Sequence, residues 1–103
     1  MGAGKIVDIA SIDDAPECLR LAYQRFIEDY PNLQNFIVIK EYKRASALFH
    51  STYTLIMTRN DGIAFTYEIT ADIHSAENYL LKVFDAEDVE VDLENTPNAL
   101  SRV

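Results

Sequence analysis

The feature that most constrains the fold is a pair of β-prone segments in residues 47–70, separated by Asn60, Asp61 and Gly62. Threonine, tyrosine, isoleucine and phenylalanine dominate both segments, and these residue types favour a pleated, half-buried surface. An Asn-Asp-Gly sequence between such segments is typical of a hairpin, because glycine adopts the left-handed turn conformation without steric cost. The sequence therefore predicts one long β-hairpin.

The alternation of side chains selects the register of this hairpin. A two-residue turn at Asp61 and Gly62 would pair Met57 with Thr66 and mix apolar with polar residues on one face. A three-residue loop with Gly62 in the left-handed conformation keeps one face apolar and avoids that mixture. The predicted cross-strand pairs are Met57 with Phe65, Leu55 with Tyr67, and Tyr53 with Ile69. The other face then carries Thr52, Thr54, Ile56, Thr58, Ala64, Thr66, Glu68 and Thr70.

The segments before the hairpin predict a strand, a helix and a second strand. Residues 5–10 alternate weakly and indicate a short strand. Asp14 is expected to cap a helix whose apolar stripe runs from Leu19 to Tyr30, and Pro31 ends it because the residue before a proline leaves helical geometry. Residues 36–43 predict a strand that pairs antiparallel with the first arm of the hairpin.

The segments after the hairpin predict a second helix and a terminal strand. Asp72 or Ser75 is expected to cap a helix of about three turns, since apolar residues recur at helical spacing. The stripe consists of Ala76, Tyr79, Leu80, Val83 and Phe84. Residues 85–94 alternate acids with Val89, Val91 and Leu93 and indicate a strand.

These elements predict an α+β fold with the order (β)αβββαβ. It is a mainly antiparallel sheet of four to five strands, with two amphipathic helices on one face. The 103 residues suffice for a single domain covering residues 1–103, in which residues 1–4 and 95–103 are expected to be loose.

Composition excludes several classes of function. Only three glycines are present, and Gly62 is needed for the turn, so a glycine-rich phosphate-binding loop is not expected. Cys18 is the single cysteine, which excludes an internal disulfide and a cysteine-built zinc site. We expect no cofactor and no metal site. A membrane span or a leader is not evident either, so a cytoplasmic protein is expected.

Charge is distributed unevenly along the chain. The formal net charge is −8, and residues 61–103 hold ten acids but only Lys82 and Arg102 as bases. Direct binding to nucleic acid is disfavoured, because contacts to phosphates require clustered lysine and arginine. The acidity instead favours a basic protein as partner.

The leading hypothesis is a non-enzymatic protein-binding module, an inhibitor or regulator that presents carboxylates to a basic, nucleic-acid-binding protein. On a strand, carboxylates on one side repeat every ~6.7 Å, a negative surface that resembles a nucleic-acid backbone in sign. In size and charge the chain resembles small acidic inhibitors that phages direct at host defence complexes. The candidate partner-binding residues are Glu77, Asp85, Glu87, Asp88, Glu90, Asp92 and Glu94. Alternatively, the acids only protect a sheet edge from pairing.

Two other hypotheses remain open. One is a small-ligand or enzymatic domain, with a pocket lined by Tyr23, Tyr30, Tyr53 and Tyr67 and with Cys18, His50 or His74 as reactive groups. The other is a homodimer or larger homo-oligomer built on the threonine-rich sheet face.

Overall fold

The computed structural model describes residues 5–46, 48 and 51–100, except for the side chains of Ala76 and Glu77. Over these residues the fold is a five-stranded antiparallel sheet with one α-helix, so the α+β class is confirmed. Its strands are β1 (Ile6–Asp8), β2 (Ile37–Ser46), β3 (Ser51–Arg59), β4 (Thr66–Asp72) and β5 (Ser75–Phe84). They lie in chain order across the sheet. The helix is α1 (Glu17–Asp29), and 3-10 turns span Ile12–Asp14, Pro31–Leu33 and Pro97–Leu100.

Helix α1 begins after a proline and not at the predicted cap. Pro16 is the N-cap residue, no side chain caps the helix, and Asp14 lies in the preceding 3-10 turn. Proline is suited to this place because the first N–H groups of a helix have no intrahelical acceptor. The predicted end is confirmed, since Tyr30 is the C-cap and Pro31 starts the next turn.

Helix α1 packs on one face of the sheet and forms the core there. The fully buried side chains Leu19 and Phe26 of α1 meet Leu55, Tyr67 and Val83 from three strands. The rings of Phe26 and Tyr67 lie 6.3 Å apart between centroids. We call this side of the sheet the covered face.

The predicted hairpin forms, but its register is shifted by two residues. Leu55 pairs with Ile69 and not with Tyr67, and Met57 pairs with Tyr67 and not with Phe65. The prediction failed because residues 60–65 make a longer connection than three residues: the Asn60 N–H still donates to the Phe36 carbonyl, at 2.9 Å. Gly62 is left-handed as predicted, with φ 87°. A shift of two keeps every side chain on its predicted face.

The predicted second helix is wrong, because residues 75–84 form strand β5. The Asp72 carboxylate accepts a hydrogen bond from the His74 N–H at 2.8 Å, inside a tight turn between β4 and β5. A helix N-cap makes the same kind of bond, so this local signal does not separate the two outcomes. Strand β5 completes the ladder along the free edge of β4, and the structure describes one α-helix where two were expected.

The predicted terminal strand at residues 85–94 is also wrong. Its one β contact is an isolated antiparallel bridge between Phe84 and Glu90. Beyond it, within the tail that was expected to be loose, Pro97–Leu100 form a 3-10 turn and Ala99 is buried in the core. The other segments expected to be loose, residues 1–4 and 101–103, lie outside the described residues.

Candidate functional site: the acidic loop

Residues 85–94, which we call the acidic loop, leave the end of β5 through a tight turn. The Asp85 N–H donates to the Val89 carbonyl at 2.9 Å, and the Val91 N–H donates to Val83 at 2.9 Å. The Asp85 carboxylate accepts from the backbone N–H groups of Glu87 and Val89, at 2.9 and 3.0 Å. Asp88 has φ 64°, a left-handed conformation that aspartate tolerates better than most residues. Hydrogen bonds within the loop backbone, and those that the Asp85 carboxylate accepts from it, therefore define the shape of this turn.

A second turn follows at Asp92 and is built in the same way. Its carboxylate accepts from the Glu94 N–H at 3.0 Å and from the Asn95 side-chain amide at 2.7 Å. Between the two turns Val91 and Leu93 pack against the core. The acidic loop is thus held at both turns and anchored by two apolar side chains.

The loop concentrates exposed negative charge in one short stretch of chain. Asp85 is half-buried, whereas the other five acids are exposed: Glu87, Asp88, Glu90, Asp92 and Glu94. No lysine or arginine with a described side chain lies within ion-pair distance of these carboxylates, since the ion pair that the structure shows joins Arg59 to Asp61. Glu77 is in β5, and its side chain is outside the described part. The loop's charge is therefore not neutralised by neighbouring bases of the described chain.

The loop geometry divides the predicted partner-binding residues into two groups. The carboxylates of Asp85 and Asp92 accept hydrogen bonds from the backbone of the turns, so their first role is structural. Glu87, Asp88, Glu90 and Glu94 make no such side-chain bond in the described hydrogen-bond network. Because the segment is not a strand, its carboxylates do not repeat at a regular spacing. A partner would have to recognise them by their exposure and their negative charge.

Cys18 and His74 line a shallow groove of about 390 Å³ beside the start of α1. The groove also involves Glu17 and Tyr53. Burial raises the pKa of the Cys18 thiol, which is only 7% exposed, so the reactive thiolate is disfavoured at neutral pH. His50, the other candidate base, lies outside the described residues.

The four tyrosines that were predicted to line one pocket are dispersed. Tyr67 is fully buried in the core. Tyr23, Tyr30 and Tyr53 each line a different shallow groove. The prediction of a shared tyrosine pocket is therefore not met among the described residues.

A buried polar cluster around Arg59 was missed by the sequence reasoning. The Arg59 guanidinium makes a bidentate contact with the Asp61 carboxylate, in which Nε and Oδ1 are 3.0 Å apart. It also donates to the Tyr67 hydroxyl at 3.1 Å and to the Asn98 carbonyl at 3.3 Å. Tyr67 in turn donates to the Ala99 carbonyl. The cluster thereby attaches the turn at Pro97–Leu100 to the sheet.

The charges within this cluster stabilise each other. The hydrogen bonds from Arg59 lower the pKa of Asp61, and the hydrogen bonds to Asp61 raise the pKa of Arg59. Burial raises the pKa of Tyr67, so its hydroxyl stays protonated and can donate. The Arg-Asn-Asp-Gly order in residues 59–62 was the available signal, because an arginine two residues before an aspartate in a tight turn can reach it.

The described residues show neither a metal site nor a membrane-spanning helix. No group of histidine, cysteine and carboxylate side chains there is placed to hold a metal ion. None of the helices in that part is both long and apolar enough to cross a bilayer.

Comparison with known proteins identifies no relative of this chain. No protein-family model matches the chain, and no curated protein or solved structure matches it either.

Proposed function

We propose that this protein is a non-enzymatic protein-binding module, an inhibitor or regulator, whose acidic loop contacts a basic surface on its partner. The observation that carries the proposal is the group of exposed carboxylates at residues 87–94, which have no basic partner among the described side chains. A like-charged cluster held together without counter-charges strengthens long-range attraction to an oppositely charged protein.

The turns make this charge suitable for recognition. A disordered acidic segment would lose conformational entropy on binding, at about 1–2 kcal/mol per residue. The acidic loop is already shaped by the bonds to Asp85 and Asp92 and by the packing of Val91 and Leu93. Binding therefore orders less chain than it would with a flexible tail.

Basic proteins that hold nucleic acid are the proposed class of partner. Their grooves carry clustered lysine and arginine side chains that bind phosphate groups. The same side chains can also bind carboxylates. The proposal rests on the sign and exposure of the charge and no longer on a regular repeat. We infer a cytoplasmic location, because the single cysteine is unpaired and buried.

The test removes charge from the loop without breaking its turns. A triple variant, Glu87→Gln, Glu90→Gln and Glu94→Gln, keeps Asp85 and Asp92. A matched control, Asp14→Asn, Glu17→Gln and Glu28→Gln, removes the same charge from exposed positions in and near α1. Partners are captured from the source cell at low and high salt, and the purified partner is then titrated with each variant.

We expect the loop variant to bind roughly tenfold or more weakly, mainly through slower association, and the control to bind like the wild type. Duplex DNA should compete with the protein for the same partner. Equal binding by the loop variant and the control would remove the acidic loop from the mechanism. Failure of DNA to compete would remove the nucleic-acid-binding class of partner but not the loop.

A further inference from the structure

The side of the sheet opposite α1, which we call the open face, carries a defined pattern of side chains. The strand register aligns them in rows that run across the sheet. Three rows continue in regular register into β5: Ile6, Lys43, Thr54, Thr70, Leu80; then Asp8, Glu41, Ile56, Glu68, Lys82; then Val38, Thr58, Thr66, Phe84. A fourth row, Ala45, Thr52 and Asp72, ends at the register shift between β4 and β5. A hydrogen bond of 2.8 Å between the Thr54 and Thr70 hydroxyls agrees with this alignment.

The open face holds apolar side chains that the core does not use. Ile6, Val38, Ile56, Leu80 and Phe84 point to this side, and none belongs to the core or to the residues packed against it. Ile6 and Leu80 are each 58% exposed, at opposite edges of the same row. Apolar side chains that are spread over a sheet face in this way can pack against a second sheet.

We propose that two copies of this protein pack open face to open face, about a two-fold axis that runs along β3, parallel to the strands. Such an axis exchanges β1 with β5 and β2 with β4, and keeps each row opposite the same row of the other copy. Ile56 then meets the partner's Ile56 at the centre. At the edges Ile6 meets the partner's Leu80, and Asp8 meets the partner's Lys82.

The order of charges across the middle row selects this axis. An axis perpendicular to the strands within that row would place each charged residue against its own copy, Asp8 on the partner's Asp8 and Lys82 on the partner's Lys82. Like charges in direct opposition are unfavourable. The axis along β3 instead pairs an acid at one edge with a lysine at the other, on both sides of the dimer.

The same geometry indicates that the dimer is weak. Five strands at about 4.8 Å and three rows at about 6.7 Å give a footprint of roughly 24 by 20 Å, or about 480 Å² per copy. Specific interfaces usually bury about 800 Å² per partner, so this footprint is below the standard size and fits a transient dimer. Glu41 also meets the partner's Glu68, which opposes association. The dimer should therefore depend on protein concentration.

The first experiment is sedimentation velocity of the whole protein over a concentration series that reaches its solubility limit. We expect a reversible monomer–dimer equilibrium, weakened roughly tenfold or more by Leu80→Ser. The control is Leu21→Ser, at a leucine of α1 that is 52% exposed and outside the open face. A monomer throughout the series would overturn the proposal, and so would equal weakening by both variants.

The second experiment tests the axis by exchanging charges. Asp8→Lys and Lys82→Asp should each weaken the dimer, because each creates a like-charged pair with the partner. The double variant should recover most of the wild-type affinity, since the pair is then reversed and not lost. If the double variant is as weak as the single ones, the axis along β3 is wrong. Both residues are exposed, and circular dichroism checks that each variant is folded.

Discussion

The two faces of the sheet are built from the same strands and differ in what covers them. In β3, Leu55 and Met57 point to the covered face and are fully buried. Ile56 and Thr58, between and beside them, point to the open face and are only half-buried. Burial of apolar surface under α1 therefore stabilises one face. On the other, β-branched residues suit the strand conformation without a second layer above them.

The largest expected effect comes from truncating neighbours on opposite faces. Leu55→Ala removes a fully buried side chain and should lower the free energy of unfolding by about 2–5 kcal/mol. Ile56→Ala removes a half-buried one and should cost about 1 kcal/mol. Urea denaturation of both variants at low protein concentration measures the difference.

Protein concentration sharpens this test. If the open face is shared between two copies, the cost of Ile56→Ala should grow as the protein is concentrated, because dimerisation stabilises the folded state by mass action. The cost of Leu55→Ala should not change in this way. Equal costs at low concentration would mean that the two faces do not differ as described.

The faces themselves could be predicted from the sequence. Alternation of apolar and polar residues in residues 52–58 and 65–70 has a period of two, and that period assigns side chains to faces whatever the exact register. The register was missed by two residues because it depends on residues 60–65. There the Arg59–Asp61 contact and the bond from Asn60 to Phe36 lengthen the connection.

Strand β5 could not be predicted because its sequence fits two periods. Tyr79, Leu80, Val83 and Phe84 recur as on a helix, yet Tyr79, Leu81 and Val83 also alternate as on a strand. The free edge of β4 decides between them, since its unpaired N–H and C=O groups favour another strand. That edge is a tertiary feature, which a local pattern does not contain.

The candidate site was predictable in composition and not in shape. The sequence located the acids of residues 85–94 and the lack of nearby bases. It did not reveal that Asp85 and Asp92 would fold the segment into turns, since their side chains bond to their own backbone. The alternation of apolar residues with acids does not produce a strand here. Val91 and Leu93 instead pack against the core from within a loop.

A smaller effect is expected at the rim of the covered face, from Tyr79. Its hydroxyl donates to the Asp29 carboxylate at 2.6 Å, and burial together with this bond raises the pKa of Tyr79. A raised pKa means that the folded state holds the proton more tightly than the unfolded state. This contribution to stability is fully present below about pH 10, the ordinary tyrosine value, and is lost as the pH rises toward the folded pKa.

Tyr79→Phe should therefore make the loss of stability above about pH 10 less steep, measured by urea denaturation across an alkaline pH series. Tyr23 and Tyr67, whose pKa values are also raised by burial, should keep part of the dependence. Asp29→Asn should lower the pKa of Tyr79 only in part, because burial is the larger cause. An unchanged alkaline profile in Tyr79→Phe would show that folding does not raise the pKa of Tyr79.

The smallest expected effect is on the open face, at the hydroxyl pair of Thr54 and Thr70. Replacing both by valine removes donor and acceptor together and keeps the β-branched shape, so the free energy of unfolding should change by no more than about 0.5 kcal/mol. The single variant Thr70→Val should cost more than the double variant, because it leaves the buried Thr54 hydroxyl without this partner. Two added apolar surfaces should also strengthen self-association, which sedimentation of the double variant measures. A double variant that unfolds more easily and does not associate more strongly would show that the hydroxyl pair, and not β-branched shape, holds the open face together.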